Sequence, residues 1–353
     1  MARSARAVVR SFQAGFFQAT VTMPPLPATA DRQAKHTAEA APDASRVTIV
    51  LARPRGFCAG VERAIAMVER ALDKFGAPIY VKHAIVHNRH VVERLEGLGA
   101  VFVEDLDQVP PGSRCIFSAH GVSPAVRQQA EGRGLNVLDA TCPLVTKVHV
   151  EARRYAKEQR TIFLVGHAGH VEVEGTQGEA PENIIVVGSA AEAERVQAAD
   201  PQRVGYLTQT TLSIDDTRAI VDVLRRRFPA LVGPGKDDIC YATQNRQNAV
   251  QVLAREAQVI LVVGSANSSN SNRLAEVARA RGVPAHLVES REQVDMAWLR
   301  GAQAIGVTAG ASAPEEIVQD LVTYLARHFN AQVVEREVVA EQVSFPLPAI
   351  LVS

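Results

Sequence analysis

From Val47 onward, apolar residues along the chain follow two alternating rhythms. Runs such as VTIVLA, PIYVKHAIV, TIFLVG and VILVVG are nearly continuous in Val, Ile and Leu. That is the pattern of strands buried on both faces of a parallel sheet. Between the runs, Val61, Ala64, Ile65, Val68, Ala71 and Leu72 recur at the i, i+3, i+4, i+7 spacing of a helix that buries one face. Val145, Val148, Ala152 and Tyr155 repeat the rhythm, and Val250, Leu253, Ala254 and Ala257 carry it a third time. Strands alternating with helices predict an α/β fold of three similar domains with small parallel sheets. We place them at 47–142, 143–239 and 240–324, with a C-terminal segment at about 325–348 packing back on the first.

Each of the three helices is entered through a cysteine. These are Cys58 in RPRGFCAG, Cys142 in DATCPLVTK and Cys240 in DDICYATQN. Pro143 suits a first helical turn. The cysteines stand about one small α/β unit apart, so the thiols come from three units and meet in space. A helix N-terminus favours a thiolate, which lowers the thiol pKa and suits it to metal. The fourth cysteine, Cys115 in SRCIFSAH, reads as a small buried strand residue. Closely paired C-x2-C ligands of structural zinc are absent from the sequence.

The polar loops fall in register with the cysteines. His87, His170 and Ser268 lie at the same offset from their cysteines to within one residue. A second set follows further strands: His120 in CIFSAHGVS, Thr210 and Thr211 in VGYLTQTTLS, and Ser312 in AIGVTAGASAP. Singly, each is an ordinary loop residue. In parallel α/β sheets ligands bind at the carboxyl ends of the strands, so their repeated placement points to one shared crevice.

Charge and composition narrow the function. The 353 residues carry 38 basic and 38 acidic side chains, which leaves no electrostatic footprint for nucleic acid or an anionic membrane. No run approaches the roughly 18 apolar residues of a membrane span. Four cysteines without a secretory signal point to a reducing compartment, the bacterial cytoplasm. Residues 1–46 differ from the rest. Arg3, Arg6 and Arg10 precede any acid before Asp31, as in an organellar transit peptide. The alternatives are a disordered bacterial extension or a later start such as Met23. The stretch PPLPATADRQAKHTAEAAPDAS reads as an unstructured linker.

Taken in order, PRGFCAGVERAI, IVHNRHVV, SAHGVS, DATCPLVTKVH, GHAGH with EVEGT, TQTTLS, KDDICYATQNRQ, NSSNSNRL and GVTAGASAP resemble the 4-hydroxy-3-methylbut-2-enyl diphosphate reductase family over residues 47–345. The resemblance implies a cloverleaf of three α/β domains around a [4Fe–4S] cluster held by Cys58, Cys142 and Cys240. Three thiolates leave one iron open to act as a Lewis acid on a substrate hydroxyl. It also implies that His87, His120, His170, Thr210, Thr211, Ser268, Ser269, Asn270 and Ser312 bind the substrate, mainly at its diphosphate. Glu172 becomes the proton donor and Thr210 its relay, with His170 beside them in the catalytic set. Glu174 competes with Glu172, because alternate residues of an extended segment share a face; the resemblance selects Glu172.

The implied reaction is reductive dehydroxylation to isopentenyl and dimethylallyl diphosphate, the last step of the methylerythritol phosphate route. No flavin or dinucleotide motif is present in the sequence, so electrons come from an external donor such as ferredoxin or flavodoxin. An open-iron hydro-lyase and a non-enzymatic thiol-cluster redox sensor are the alternatives. Three positions depart from the family pattern: Val171 stands in place of Pro, Ala266 in place of Lys and Arg53 in place of Asn.

Overall fold

The computed structural model describes residues 46–352. The transit-peptide and linker readings of the N-terminal extension lie outside the described residues. In chain order the elements are β1 (Thr48–Arg53), α1 (Ala59–Phe75), β2 (Ile79–Lys82), α2 (Arg89–Gly97), β3 (Ala100–Val103), β4 (Arg114–Phe117), α3 (Pro124–Gly132), β5 (Asn136–Asp139), α4 (Pro143–Lys157), β6 (Thr161–Val165) and α5 (Val171–Gly178). They continue with β7 (Ile184–Val187), α6 (Ala190–Ala193), β8 (Val204–Thr208), α7 (Ile214–Arg227), α8 (Tyr241–Glu256), β9 (Val259–Val263), α9 (Ser269–Ala280), β10 (Ala285–Val288), β11 (Ala304–Ala309), α10 (Glu315–His328) and β12 (Gln332–Glu337).

These strands form three parallel sheets, ordered β10-β9-β11-β1-β12, β3-β2-β4-β5 and β7-β6-β8. Helices cover both faces of each sheet, so side chains alternate between two cores. In β1, Ile49 and Leu51 enter one core while Val50 and Ala52 enter the other. In β6, Phe163 and Val165 part from Ile162 and Leu164 in the same way. Cys115 is fully buried beside Phe117, opposite Ile116, as a core residue of its strand. Fully burying each Val, Leu, Ile or Phe in such a core stabilises it by about 1.5–3 kcal/mol.

The first strand lies elsewhere than the order of the chain implies. β1 runs between β11 and β12, with Thr48 opposite both Ala304 and Gln332, and so belongs to the sheet that follows Cys240. Its apolar run shows burial on both faces but cannot reveal which strands flank it. The C-terminal return is likewise divided. β12 pairs with β1, whereas Leu347 and Leu351 pack against α1 in the core of the β2 sheet.

Candidate active site

Cys58, Cys142 and Cys240 are the N-cap residues of α1, α4 and α8. The backbone at Cys58 and Cys240 is still extended, and at all three sites the helix begins with the next residue. Neither Cys58 nor Cys142 makes a side-chain cap. At α1 the hydroxyl of Tyr241 accepts from Ala59 N at 3.4 Å, so a neighbouring helix serves the open turn. Cys240 Sγ accepts from Thr243 N at 3.4 Å and lies 3.2 Å from Thr243 Oγ1. Gly56 (φ +65°) makes the turn into Cys58, where a Cβ would stand 3.2 Å from the carbonyl of Ala313.

The three thiols open into one cleft. His87, His120, His170, Glu172, Thr210, Thr211, Ser268, Ser269, Asn270 and Ser312 line it with them. The convergence follows from the sheets, since β2, β4, β6, β8, β9 and β11 all deliver these residues in the loops or helix entries after their carboxyl ends. Thr243 also lines the cleft and was not singled out in the sequence. Its signal was its position three residues after a capping residue, where an N-cap finds its partner.

Helix entry contradicts one electrostatic expectation. Burial pushes the thiol of Cys142 up to about 12 and that of Cys240 up to about 11, against the lowering effect of nearby N–H groups. Desolvation of the anion outweighs the helix terminus. A cation placed beside these two thiols would favour their thiolate forms.

The histidines form a neutral, donor-rich wall. His87 and His120 stack with centroids 4.0 Å apart, and His170 meets both edge-on. Burial lowers His87 and His170 to about 4, and burial with the neighbouring rings holds His120 well below the ordinary value. His170 is also the N-cap of α5; its Nδ1 accepts from Glu172 N at 3.1 Å, which leaves Nε2 as the N–H donor. That Nε2, both nitrogens of His87 and both amide atoms of Asn270 are buried without a hydrogen-bond partner. Buried polar atoms are normally paired. Five unpaired ones around a single cleft mark where a polar ligand completes the structure.

Glu172 lies on a helix, not on the extended segment expected from VEVEG. Successive helical residues turn by about 100°, so Glu172 and Glu174 face nearly opposite ways. Glu172 is 4 % exposed and lines the cleft, while Glu174 is exposed. Thr210 donates to Glu172 twice, from its N–H at 2.6 Å and its hydroxyl at 3.0 Å. Burial nevertheless raises the Glu172 carboxyl to about 7. Val171 occupies the first helical position, and the His170 cap and Thr210 hold Glu172 in place there.

Among the described residues no three His, Cys, Asp or Glu side chains close on one point as a single metal ion requires. A Cβ on Gly60 would lie 2.8 Å from Cys142 Sγ and 3.9 Å from Cys58 Sγ, so the missing side chain keeps the space between two thiols open. Three sulfur donors spread around a bare cradle fit a polynuclear metal–sulfur group.

Fold and cleft together define a class: an α/β protein whose three parallel sheets deliver cysteines, histidines and a buried carboxylate to one cleft. Residues 49–326 match the family model described as LytB protein, and the chain belongs to that family. It is 59 % identical over 300 residues to a protein of Azoarcus sp. (strain BH72) named 4-hydroxy-3-methylbut-2-enyl diphosphate reductase, covering 85 % of this chain and 96 % of that one. The solved E-1-hydroxy-2-methyl-but-2-enyl-4-diphosphate reductase from Plasmodium falciparum superposes with a TM-score of 0.84 at 41 % identity, over 87 % of this chain and 97 % of that one. A solved (E)-4-hydroxy-3-methyl-but-2-enyl diphosphate reductase, described as the terminal enzyme of the non-mevalonate pathway, superposes with a TM-score of 0.57 at 31 % identity, over 80 % and 99 %.

Proposed function

We propose that this chain is a 4-hydroxy-3-methylbut-2-enyl diphosphate reductase acting at the end of the non-mevalonate route to isoprenoids. The observation that carries the reading is the single cleft in which three cysteines, three neutral histidines and a proton-bearing carboxyl meet beside unpaired buried donors. Cys58, Cys142 and Cys240 would hold a [4Fe–4S] cluster. Bound there, it supplies Lewis acidity toward an alcohol oxygen and a path for electrons.

The chain's own residues do the rest. The orphaned nitrogens of His87, His170 and Asn270 offer directed donors to the diphosphate with the Ser268 hydroxyl beside them, while Ser269 and Ser312, whose hydroxyls donate to the carbonyls of Thr211 and His87, shape the same wall. Neutral imidazoles can act as donors without burying further charge. Thr211 adds a hydroxyl at the same wall, and His120 backs His87 by stacking. When Glu172 is protonated its 3.0 Å contact with the Thr210 hydroxyl reverses: Oε2 donates to Oγ1, and Thr210 passes its own proton toward the departing oxygen. Overall, the allylic alcohol takes up two electrons and two protons, the C–O bond breaks, and water leaves with an isopentenyl or dimethylallyl product.

No helix among the described residues is long and apolar enough to cross a membrane. We place the enzyme in a reducing cytoplasm, which keeps such thiols available, and assign electron supply to a ferredoxin or flavodoxin. Anaerobic iron and sulfide analysis followed by substrate titration with a chemical reductant tests the reading. Four irons per chain and reductant-dependent loss of the hydroxyl are expected. Turnover without reductant would instead make it a hydro-lyase, and a metal-loaded chain without diphosphate affinity would leave a redox sensor.

A further inference from the structure

A closed ring of polar contacts joins two walls of the cleft through Thr211 and Ser269, which line it. Arg273 lies on α9, one turn beyond Ser269. Its Nη2 lies 2.8 Å from His167 Nε2, in the loop after β6. A guanidinium only donates, so His167 accepts at Nε2 and carries its proton on Nδ1. That nitrogen is 3.2 Å from Gln209 Oε1, which also accepts from His167 N at 3.1 Å. The other end of the same amide donates to Thr211 Oγ1 at 3.1 Å. The ring closes where Ser269 Oγ donates to the carbonyl of Thr211 at 3.4 Å. Donor and acceptor roles agree at every link, and the Gln209 amide is fixed in orientation by partners at both ends.

We propose that Arg273 is a positioning residue for the substrate. Through His167 and Gln209 it locks the first turn of α9 to the loops after β6 and β8. Ser269 and Asn270 then stand at a fixed separation from His170 and Thr210. Arg273 also pairs with Asp216 on α7 at 3.4 Å and with Glu276 on its own helix, so its charge is balanced and its contact to His167 is not a search for a counter-ion. The Asp216 pair is exposed and weak by comparison; the His167 contact is the part-buried one. Preorganising both walls before the ligand arrives lowers the ordering cost of binding.

This inference rests on the cleft being the diphosphate site, and its test separates the two. The unmodified chain, R273Q, H167A, the double variant and R273K are loaded anaerobically. Each is titrated with inorganic diphosphate by calorimetry and assayed as a reductase. Without the ring the ligand must order both walls itself, a cost that the worth of one charge-assisted hydrogen bond puts at up to roughly tenfold in affinity. R273Q and H167A should therefore raise both Kd and KM by about that factor, with kcat, iron content and Tm nearly unchanged. The double variant should be no worse than either single, because both remove one contact. R273K, whose ammonium still donates to Nε2, should recover part of the loss. Additive losses in the double variant, or unchanged Kd and KM in R273Q and H167A while the unmodified chain binds tightly, would overturn the proposal. A fall in Tm or iron content for R273Q that H167A does not share would also overturn it, as a merely structural role. Failure of the unmodified chain to bind diphosphate sinks the cleft assignment, and this inference with it.

Discussion

Glu172 and Glu174 are two residues apart, and their environments could hardly differ more. One is buried with two bonds from Thr210; the other meets solvent. The motif was legible in the sequence, but the discriminating contact was not, because Thr210 lies 38 residues away. Glu172→Gln keeps shape and hydrogen bonding but loses the transferable proton, so turnover should fall by about 10²–10⁴-fold. Glu174→Gln should stay within a fewfold of the unmodified rate. Steady-state assays with a chemical reductant, which bypass partner docking, compare the two.

The pH profile follows from the same carboxyl. Its raised value of about 7 keeps it protonated below that pH and ionised above. The rate should therefore fall as pH rises through about 7, and Glu172→Gln should abolish that limb. Equal slopes in both proteins would remove Glu172 as the donor. Asn270→Ala takes away a buried amide whose two polar atoms have no protein partner. Diphosphate affinity should drop by an amount equivalent to about 1.5–3 kcal/mol, measured by anaerobic calorimetry, with the cluster spectrum intact.

The long helices were the clearest elements in the sequence, because an apolar stripe over four turns has few other readings. Their entrances were clear too, down to the cysteine at each N-cap. α5 escaped notice: its eight residues are too few for a periodic stripe, and two glycines and a threonine weaken its intrinsic preference. What no pattern could show is how close the helix entrances come. Gly60 is the second residue of α1, directly against the thiol of Cys142.

Gly60→Ala accordingly pits two effects against each other. Replacing a helical glycine with alanine should stabilise the helix by roughly 0.5–1 kcal/mol, while the added methyl fills the space between two sulfurs. Expected are a nearly unchanged Tm for the apoprotein, the helical gain offsetting the shift that a Cβ at 2.8 Å forces on Cys142, and a sharp fall in iron bound per chain. Full iron content would show that the cradle has slack. Cys58→Ser, Cys142→Ser and Cys240→Ser should each lose the cluster, since a serine oxygen is a poor ligand in place of a soft thiolate. Cys115→Ser, altering only a strand core, should retain it in the same absorbance and iron measurements.

At the scale of the whole molecule, the three-sheet α/β architecture could be read from the alternation of elements, but the partners of β1 could not. Burial on both faces says that a strand is central, not whose neighbour it is. The fully buried Arg246 was likewise invisible. From α8 it donates to the carbonyls of Gly56, at 2.7 Å, and Phe57, at 3.2 Å, just before Cys58, and it pairs with Glu341 from the C-terminal return. Glu341→Ala leaves that buried charge without its carboxylate. Thermal or denaturant unfolding should register a loss of about 3 kcal/mol or more, together with faster loss of iron. Stability unchanged within experimental error would mean that the carbonyls alone suffice.

The position of β1 also sets a timetable. Its first residue is tied by Gln332 to a strand that emerges from the ribosome 284 residues later. Contacts of such long range close slowly, since a large loop must be ordered before any pairing rewards it. During synthesis Cys58 therefore hangs on a segment with neither neighbouring strand to hold it, and the lock on its approach waits for Arg246 and then for Glu341. The earliest thiol to be translated is among the last to be fixed in place. A nascent chain therefore offers scattered, oxidisable thiols, not a binding site, and a metal centre held by all three would have to be loaded after the C-terminal return is made.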